Sequence, residues 1–312
     1  MRPGISTHVF LQQRLHTGLL DAMRRAGATA IEIFAARHHF DYTNRSAVRD
    51  IATWFRDTGT LPTLHQPLYA DAQWSRHVAP TLNLIDPEKS RRIDTMDEVK
   101  RAIESAEQIP FRSIVLHLGV KGDIASPRSL ENSLTAIEHL KAFAGPLGVQ
   151  ILLENLQNEV TAPEHLLEIL RVGHFDTVGI CLDIGHAHLT DYAHPGAGID
   201  AAFELLKADP LNPRIAQLHL HDNGGRSDEH LWPGTAAAGS ASNGGPISNG
   251  PAASGIDWSN VHRHLATLPA DIPGILEIAH DLDETAESVQ QKASSFYDSQ
   301  HRLAEAARQT SP

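Results

Sequence analysis

One cysteine in 312 residues leaves no partner for an intrachain disulfide, so the fold cannot depend on a covalent staple. That thiol, Cys181, lies in an apolar run and reads as a small buried hydrophobe. Positive charge is short as well: 26 Lys and Arg stand against 38 Asp and Glu, a net charge of −12. Such a balance repels nucleic acid over most of the surface unless a local basic patch overrides it. No apolar run approaches the roughly 18 residues of a membrane-spanning helix. Residues 1–20 lack both the apolar stretch and the small-residue cleavage site of a secretory leader. A cytoplasmic protein that does not enter the membrane is expected.

What the chain has in abundance is histidine, 20 in all. The stretch from Gly179 to His230 gathers several of them at the ends of aliphatic runs. In GICLDIGHAHL, a β-type segment carrying Val178, Ile180, Leu182 and Ile184 stops at Gly185, and Asp183 and His186 emerge there. In IAQLHLHDNGGRSDEH, Leu218 and Leu220 alternate with His219 and His221, so a period of two puts both imidazoles on one face. Asp222, Asp228 and His230 follow on the next loop. Imidazole nitrogens and carboxylate oxygens together are the donors that zinc, manganese or iron prefer, so a metal site is expected.

The rest of the chain repeats a β-then-α pattern. Strands are expected at Gly4–Phe10, Ala28–Phe34, Leu61–His65, Ser113–His117, Val149–Glu154, the two runs above, and Gly274–Ala279. Helices are expected at Leu15–Ala26, Asn44–Asp57, Pro87–Gln108, Ser129–Phe143, Thr161–Arg171, Ile199–Lys207, Trp258–Leu268 and Glu284–Ala306, with Thr161 and Glu164 forming a capping box. Eight such units closing through right-handed crossovers make a (β/α)8 TIM barrel, an α/β fold, as a single domain over residues 1–312. A doubly wound open sheet is the alternative. The uncharged, Gly/Ala/Ser/Asn-rich stretch at 234–255 reads as a flexible low-complexity loop after the seventh strand.

A barrel gathers functional side chains at the C-terminal ends of its strands. Taken in order, those ends offer His65, His117, Glu154, Asp183 with His186, His219, Asp228 with His230 on the following loop, and Glu277. Glu154 and Glu277 end the fifth and eighth strands and so flank the mouth from different sides. They could withdraw and return a proton on opposite faces of a hydroxyketone held by a divalent ion, passing through an enediolate.

At LLEN (152–155), CLDIGHAHL (181–189), HLHDN (219–223), DEHLWPG (228–234), GIDW (255–258) and LEI (276–278) the sequence resembles the xylose-isomerase-like TIM-barrel superfamily. That superfamily includes sugar phosphate isomerases/epimerases and three-zinc apurinic-site endonucleases. The resemblance implies one divalent metal on Glu154, Asp183, His219 and Glu277, the two Glu doubling as acid and base, with His186 contacting substrate. The donor types suit Mn or Zn, and Asp228 and His230 are expected to bind either a second metal or the substrate. Its endonuclease branch implies up to three zincs, adding His65, His117, His186, Asp228 and His230 as ligands. The wording around the ligands departs from that branch: His65 is followed by Gln-Pro-Leu in place of Ala-Pro-Tyr, and Glu154-Asn155 by Leu-Gln-Asn in place of Thr-Ala-Gly. The expectation is therefore an isomerase or epimerase acting on a small sugar-like substrate, possible as a homo-oligomer. Phosphodiester hydrolysis and keto-sugar or cyclitol dehydration are the alternatives.

Overall fold

A computed structural model describes residues 1–70, 80–194, 196–208, 214–236, 255–281 and 284–310. Strands β1 (Arg2–Ser6), β2 (Ala30–Phe34), β3 (Leu61–His65), β4 (Ser113–Leu116), β5 (Gln150–Glu154), β6 (Gly179–Asp183), β7 (Ile215–Leu220) and β8 (Pro273–Leu276) follow one another in sequence. All pair in parallel in that order, and β8 returns to β1 with Arg2 opposite Pro273 and Ile5 opposite Leu276. The sheet is a closed barrel, which removes the open-sheet alternative. Most of the low-complexity stretch expected at 234–255, namely 237–254, lies outside the described residues.

Every residue of β2 and β6 is buried, since one face of each strand looks into the barrel and the other packs on the helices around it. Among the described residues those helices are α1 (Thr17–Arg25), α2 (Arg45–Thr58), α3 (Lys89–Glu104), α4 (Pro127–Ala144), α5 (Pro163–Val172), α6 (Ile184–Ala193), α7 (Ile199–Lys207), α8 (Trp258–Leu265) and α9 (Ala286–Thr310). None is long and apolar enough to cross a membrane. Helix α2 shows how local sequence sets these bounds. The Asn44 side chain accepts from the amides of Ser46 and Ala47, the face Val48, Ile51, Ala52 and Phe55 is buried, and Gly59 ends the helix at φ 65°, where a Cβ would be strained. At the far end of the chain, the buried Tyr297 hydroxyl of α9 donates to the Gly4 carbonyl at 2.8 Å and ties α9 to β1.

Several boundaries differ from expectation for local reasons. β1 stops at Ser6 because the Ser6 side chain accepts from the amide of His8 and opens a 3-10 turn over Thr7–Phe10. The capping box at Thr161 is absent. The Thr161 hydroxyl instead accepts from Leu156 N at 2.8 Å and donates to Asn158, and Ala162 precedes a helix that starts on Pro163. Residues Ile184–Ala193, expected to leave the strand at a Gly185 stop, form α6 at once, because the Asp183 side chain caps that helix through His186 N.

The loop after β2 is fastened to α3 by a buried carboxylate. Glu98 accepts from Arg37 Nε at 2.7 Å, from Arg101 at 2.6 Å and from the Tyr42 hydroxyl. Burial pushes this carboxyl up, but the hydrogen bonds from Tyr42 and the two arginines outweigh it and hold the group below its usual value. Glu98→Ala is expected to cost about 2–3 kcal/mol at neutral pH, read by urea denaturation. A depressed carboxyl stabilises above its unfolded pKa and stops doing so as pH falls through its folded pKa, so the gap between wild type and variant should close in acid.

Candidate metal centre

Strand alternation builds the site. Thr63 and His65, Leu152 and Glu154, Cys181 and Asp183, and Gln217 and His219 are pairs two residues apart, so each pair shares a face, and the second of each lies at or next to the C-terminal end of its strand. Glu154, Asp183, His219 and Glu277 thereby converge, all at most 3% exposed. His219 Nδ1 lies 3.1 Å from Glu277 Oε2, 3.4 Å from Glu154 Oε1 and 3.8 Å from Asp183 Oδ2. That nitrogen has no hydrogen-bond partner. The other ring nitrogen, Nε2, donates to Glu32 Oε2 at 3.1 Å. A nitrogen lone pair facing three buried carboxylates is repulsive without a cation, and this donor set is one a divalent ion fits.

Two further groups flank this quartet. His65 Nε2 and His117 Nε2 approach Glu154 Oε2 at 3.7 and 3.1 Å. On the other side, Asp228 Oδ2 meets His186 Nε2 at 3.0 Å and His230 Nε2 at 3.2 Å, while His221 Nε2 lies 3.1 Å from Asp183 Oδ1. Within each of the three groups, the donor atoms all fall within 4.8 Å of one another. His65, His186 and His230 each donate Nδ1–H to a backbone carbonyl, those of Gln66, Asn155 and Glu277, each at 2.9 Å. That fixes the tautomer and aims Nε2 inward, as in metal-ligating histidines generally.

The charge pattern follows from this crowding. Burial pushes Glu154 and Glu277 up, but the positive charge on His219 outweighs it and holds both well below the carboxylate range. Burial likewise disfavours charge on His186, His219 and His230, yet their acidic neighbours raise all three, His230 to about 10. Protons on these rings occupy the electrostatic role that a cation would take over.

The nine residues expected at the strand ends and on the loop after β7 come together: His65, His117, Glu154, Asp183, His186, His219, Asp228, His230 and Glu277 belong to the three groups. Asp222, offered by the sequence as another donor, does not join them. Its carboxylate organises the following loop, accepting from Gly234 N at 2.8 Å, Ile256 N at 3.1 Å and Trp258 Nε1 at 3.1 Å. His221 is the donor that sequence reasoning left out, although its period-two relation to His219 had put it on the right face. Glu32, the one charged residue of β2, was missed as the partner of His219. His8 was also missed: its ring stacks on Phe34 at 4.9 Å and meets His230 edge-on at 5.6 Å, and burial pushes it down to about 3, leaving it neutral. A cavity of about 1010 Å³ opens between Asn155, Ala187, Lys121 and Arg226; no residue of the three groups lines it, but Asn155 and Ala187 directly follow Glu154 and His186.

The model of the xylose isomerase-like TIM barrel family matches residues 20–299. The chain belongs to that family. As a member of the xylose isomerase-like barrels it is 32% identical over 152 residues to an uncharacterized protein of Methanocaldococcus jannaschii, covering 46% of this chain and 48% of that one. It is 25% identical over 177 residues to a probable endonuclease 4 of Natronomonas pharaonis, covering 54% and 62%. Its matches span 48% to 62% of the length of the curated relatives. Among solved structures, a D-tagatose 3-epimerase-like protein superposes with a TM-score of 0.70 at 22% identity, covering 98% of this chain and 99% of that one. The IolI protein with a bound zinc atom gives 0.68 at 17%, covering 96% and 98%. At these identities the likeness shows the shared fold.

Gly185 is where the two sides of the centre touch, because a side chain there would overlap the His221 ring. Gly185→Ala should leave the barrel folded, at a cost of about 1–3 kcal/mol by thermal denaturation. In an NMR titration of the imidazoles with Zn²⁺, the response of His221 should be lost while that of His219 is kept.

Proposed function

We propose that this chain is a divalent-metal-dependent isomerase or epimerase that acts on a ketose or similar hydroxyketone through an enediolate. The observation that carries this reading is the quartet itself: an unpartnered imidazole nitrogen ringed by three buried carboxylates, two of which reach it from β5 and from beyond β8. A divalent ion held by Glu154, Asp183, His219 and Glu277 would supply Lewis acidity toward the substrate carbonyl and hydroxyl oxygens. One carboxylate, Glu277 or Glu154, accepts the carbon-bound proton; the other, having first taken the proton of the substrate hydroxyl, returns it to that carbon on the opposite face, and the first then reprotonates the hydroxyl oxygen. Both are ionised and shielded from water, which suits a base working in a dry site. His186 and His230 are proposed to hold substrate oxygens at the rim. The cavity reached through Asn155 and Ala187, the residues after Glu154 and His186, has room for a monosaccharide, and the net charge of −12 favours a small substrate over a duplex.

A second reading, hydrolysis of a phosphodiester by up to three ions, is favoured by one feature. The two oxygens of Glu154 serve different groups, Oε2 facing His65 and His117 while Oε1 faces His219 and His186. A carboxylate divided in this way suits a bridge between two ions, and clustered ions activate water and stabilise a leaving alkoxide.

Incubating the Mn²⁺-loaded protein with a panel of ketoses in deuterated water separates the two. The first reading predicts deuterium entering at the carbon next to the carbonyl, followed by NMR, and a loss of about a thousandfold in Glu277→Gln at saturating metal. Cleavage of an abasic-site duplex with no exchange into any ketose would replace the first reading with the second.

A further inference from the structure

We infer that Glu32 is a positioning residue that decides which nitrogen of His219 faces the cation, an inference that rests on the metal reading above. Glu32 comes from β2, across the barrel from the quartet, and is fully buried. Its Oε2 accepts from His219 Nε2 at 3.1 Å and from Gln217 Nε2 at 2.6 Å. A carboxylate only accepts, and the Gln217 amide gives its short bond to Glu32 at 2.6 Å and lies 3.3 Å from His219 Nε2, so the carboxylate draws the His219 proton to Nε2. The lone pair is then on Nδ1, the nitrogen surrounded by Glu154, Asp183 and Glu277. Gln217, also fully buried, holds the Glu32 carboxylate from the side, so neither partner can rotate away.

Glu32 makes poor sense as a structural group. Its Oε1 is buried with no partner, as are Thr63 Oγ1 on the neighbouring strand and Gln217 Oε1. Thr63 sits directly opposite Glu32 in the β2–β3 register. A buried carboxylate with one oxygen unpartnered lowers the stability of the barrel, and an apolar side chain of similar volume would raise it. A carboxylate behind a metal-ligating histidine instead orients the ring and raises its basicity toward the ion.

The test compares Zn²⁺ affinity, by chelator competition, in wild type, Glu32→Gln and Glu32→Leu, together with the melting temperature of each chain stripped of metal. Glu32→Gln should bind Zn²⁺ about 10–100-fold more weakly, with a melting temperature equal to or above that of the stripped wild type. Nitrogen-15 shifts of His219 in the Zn²⁺-loaded chains should show that the wild type keeps its proton on Nε2 with Nδ1 toward the ion, and that Glu32→Gln mixes the two arrangements. Glu32→Leu should be weaker still in affinity, and if it fails to fold the isosteric Gln variant decides. Unchanged affinity in folded Glu32→Gln overturns the inference while leaving the metal reading standing. A fall in affinity matched by a fall in the melting temperature of the stripped chain overturns it in favour of a structural role. A wild type that binds no Zn²⁺ overturns both.

Discussion

Three carboxylates and one imidazole nitrogen cannot share a dry cavity unless something positive is among them. Glu154, Asp183 and Glu277 surround His219 Nδ1 within 3.1 to 3.8 Å, with almost no exposure to water. Such a cluster is destabilising by itself, and natural folds keep such arrangements where they serve a purpose. The parallel barrel makes the cluster unavoidable. Consecutive strands deliver their last inward residues to one mouth, so charged residues at those ends meet whether or not their sequence neighbours are polar.

The loops are then organised to keep that meeting in register. Asp183 both faces His219 and caps α6, which places His186 one turn later over the same mouth. Asn155 clamps β5 to β6: its amide donates to the Asp183 carbonyl at 2.9 Å, and its side-chain oxygen accepts from Asp183 N at 2.7 Å. Asp222 closes the loop that carries Asp228 and His230 with five hydrogen bonds from amide and indole N–H groups. His230 itself adopts φ 47°, a left-handed conformation uncommon for residues other than glycine, which the Nδ1–H bond to the Glu277 carbonyl helps to hold. Polar side chains spent on backbone groups thus set the positions of the side chains aimed inward.

Much of this was legible in the sequence because the signals were periodic or terminal. The alternation in LHLH put His219 and His221 on one face, and the apolar runs ending in His65, Glu154 and Asp183 marked strand ends. The barrel followed from counting β-then-α units. What stayed hidden depended on contacts between distant strands. Glu32 looked like an ordinary polar position in AIEIF, and only closure of the barrel brings it to His219, 187 residues away in sequence. His8 was taken into an expected strand when Ser6 ends that strand and turns the chain. Helix α6 was missed because Gly185 reads as a stop, whereas its lack of a side chain admits the His221 ring. Thr161 resembled a helix cap but serves the loop before it, a competition between two local hydrogen bonds that the sequence does not rank.

The claim on which the account turns is that the quartet holds a divalent cation. Elemental mass spectrometry on the folded chain, purified without chelator and desalted after exposure to Mn²⁺ or Zn²⁺, tests it directly. The account predicts at least about one tightly held ion per chain, rising toward about three if the flanking groups fill. A folded chain that retains no divalent metal after exposure to either ion would contradict it.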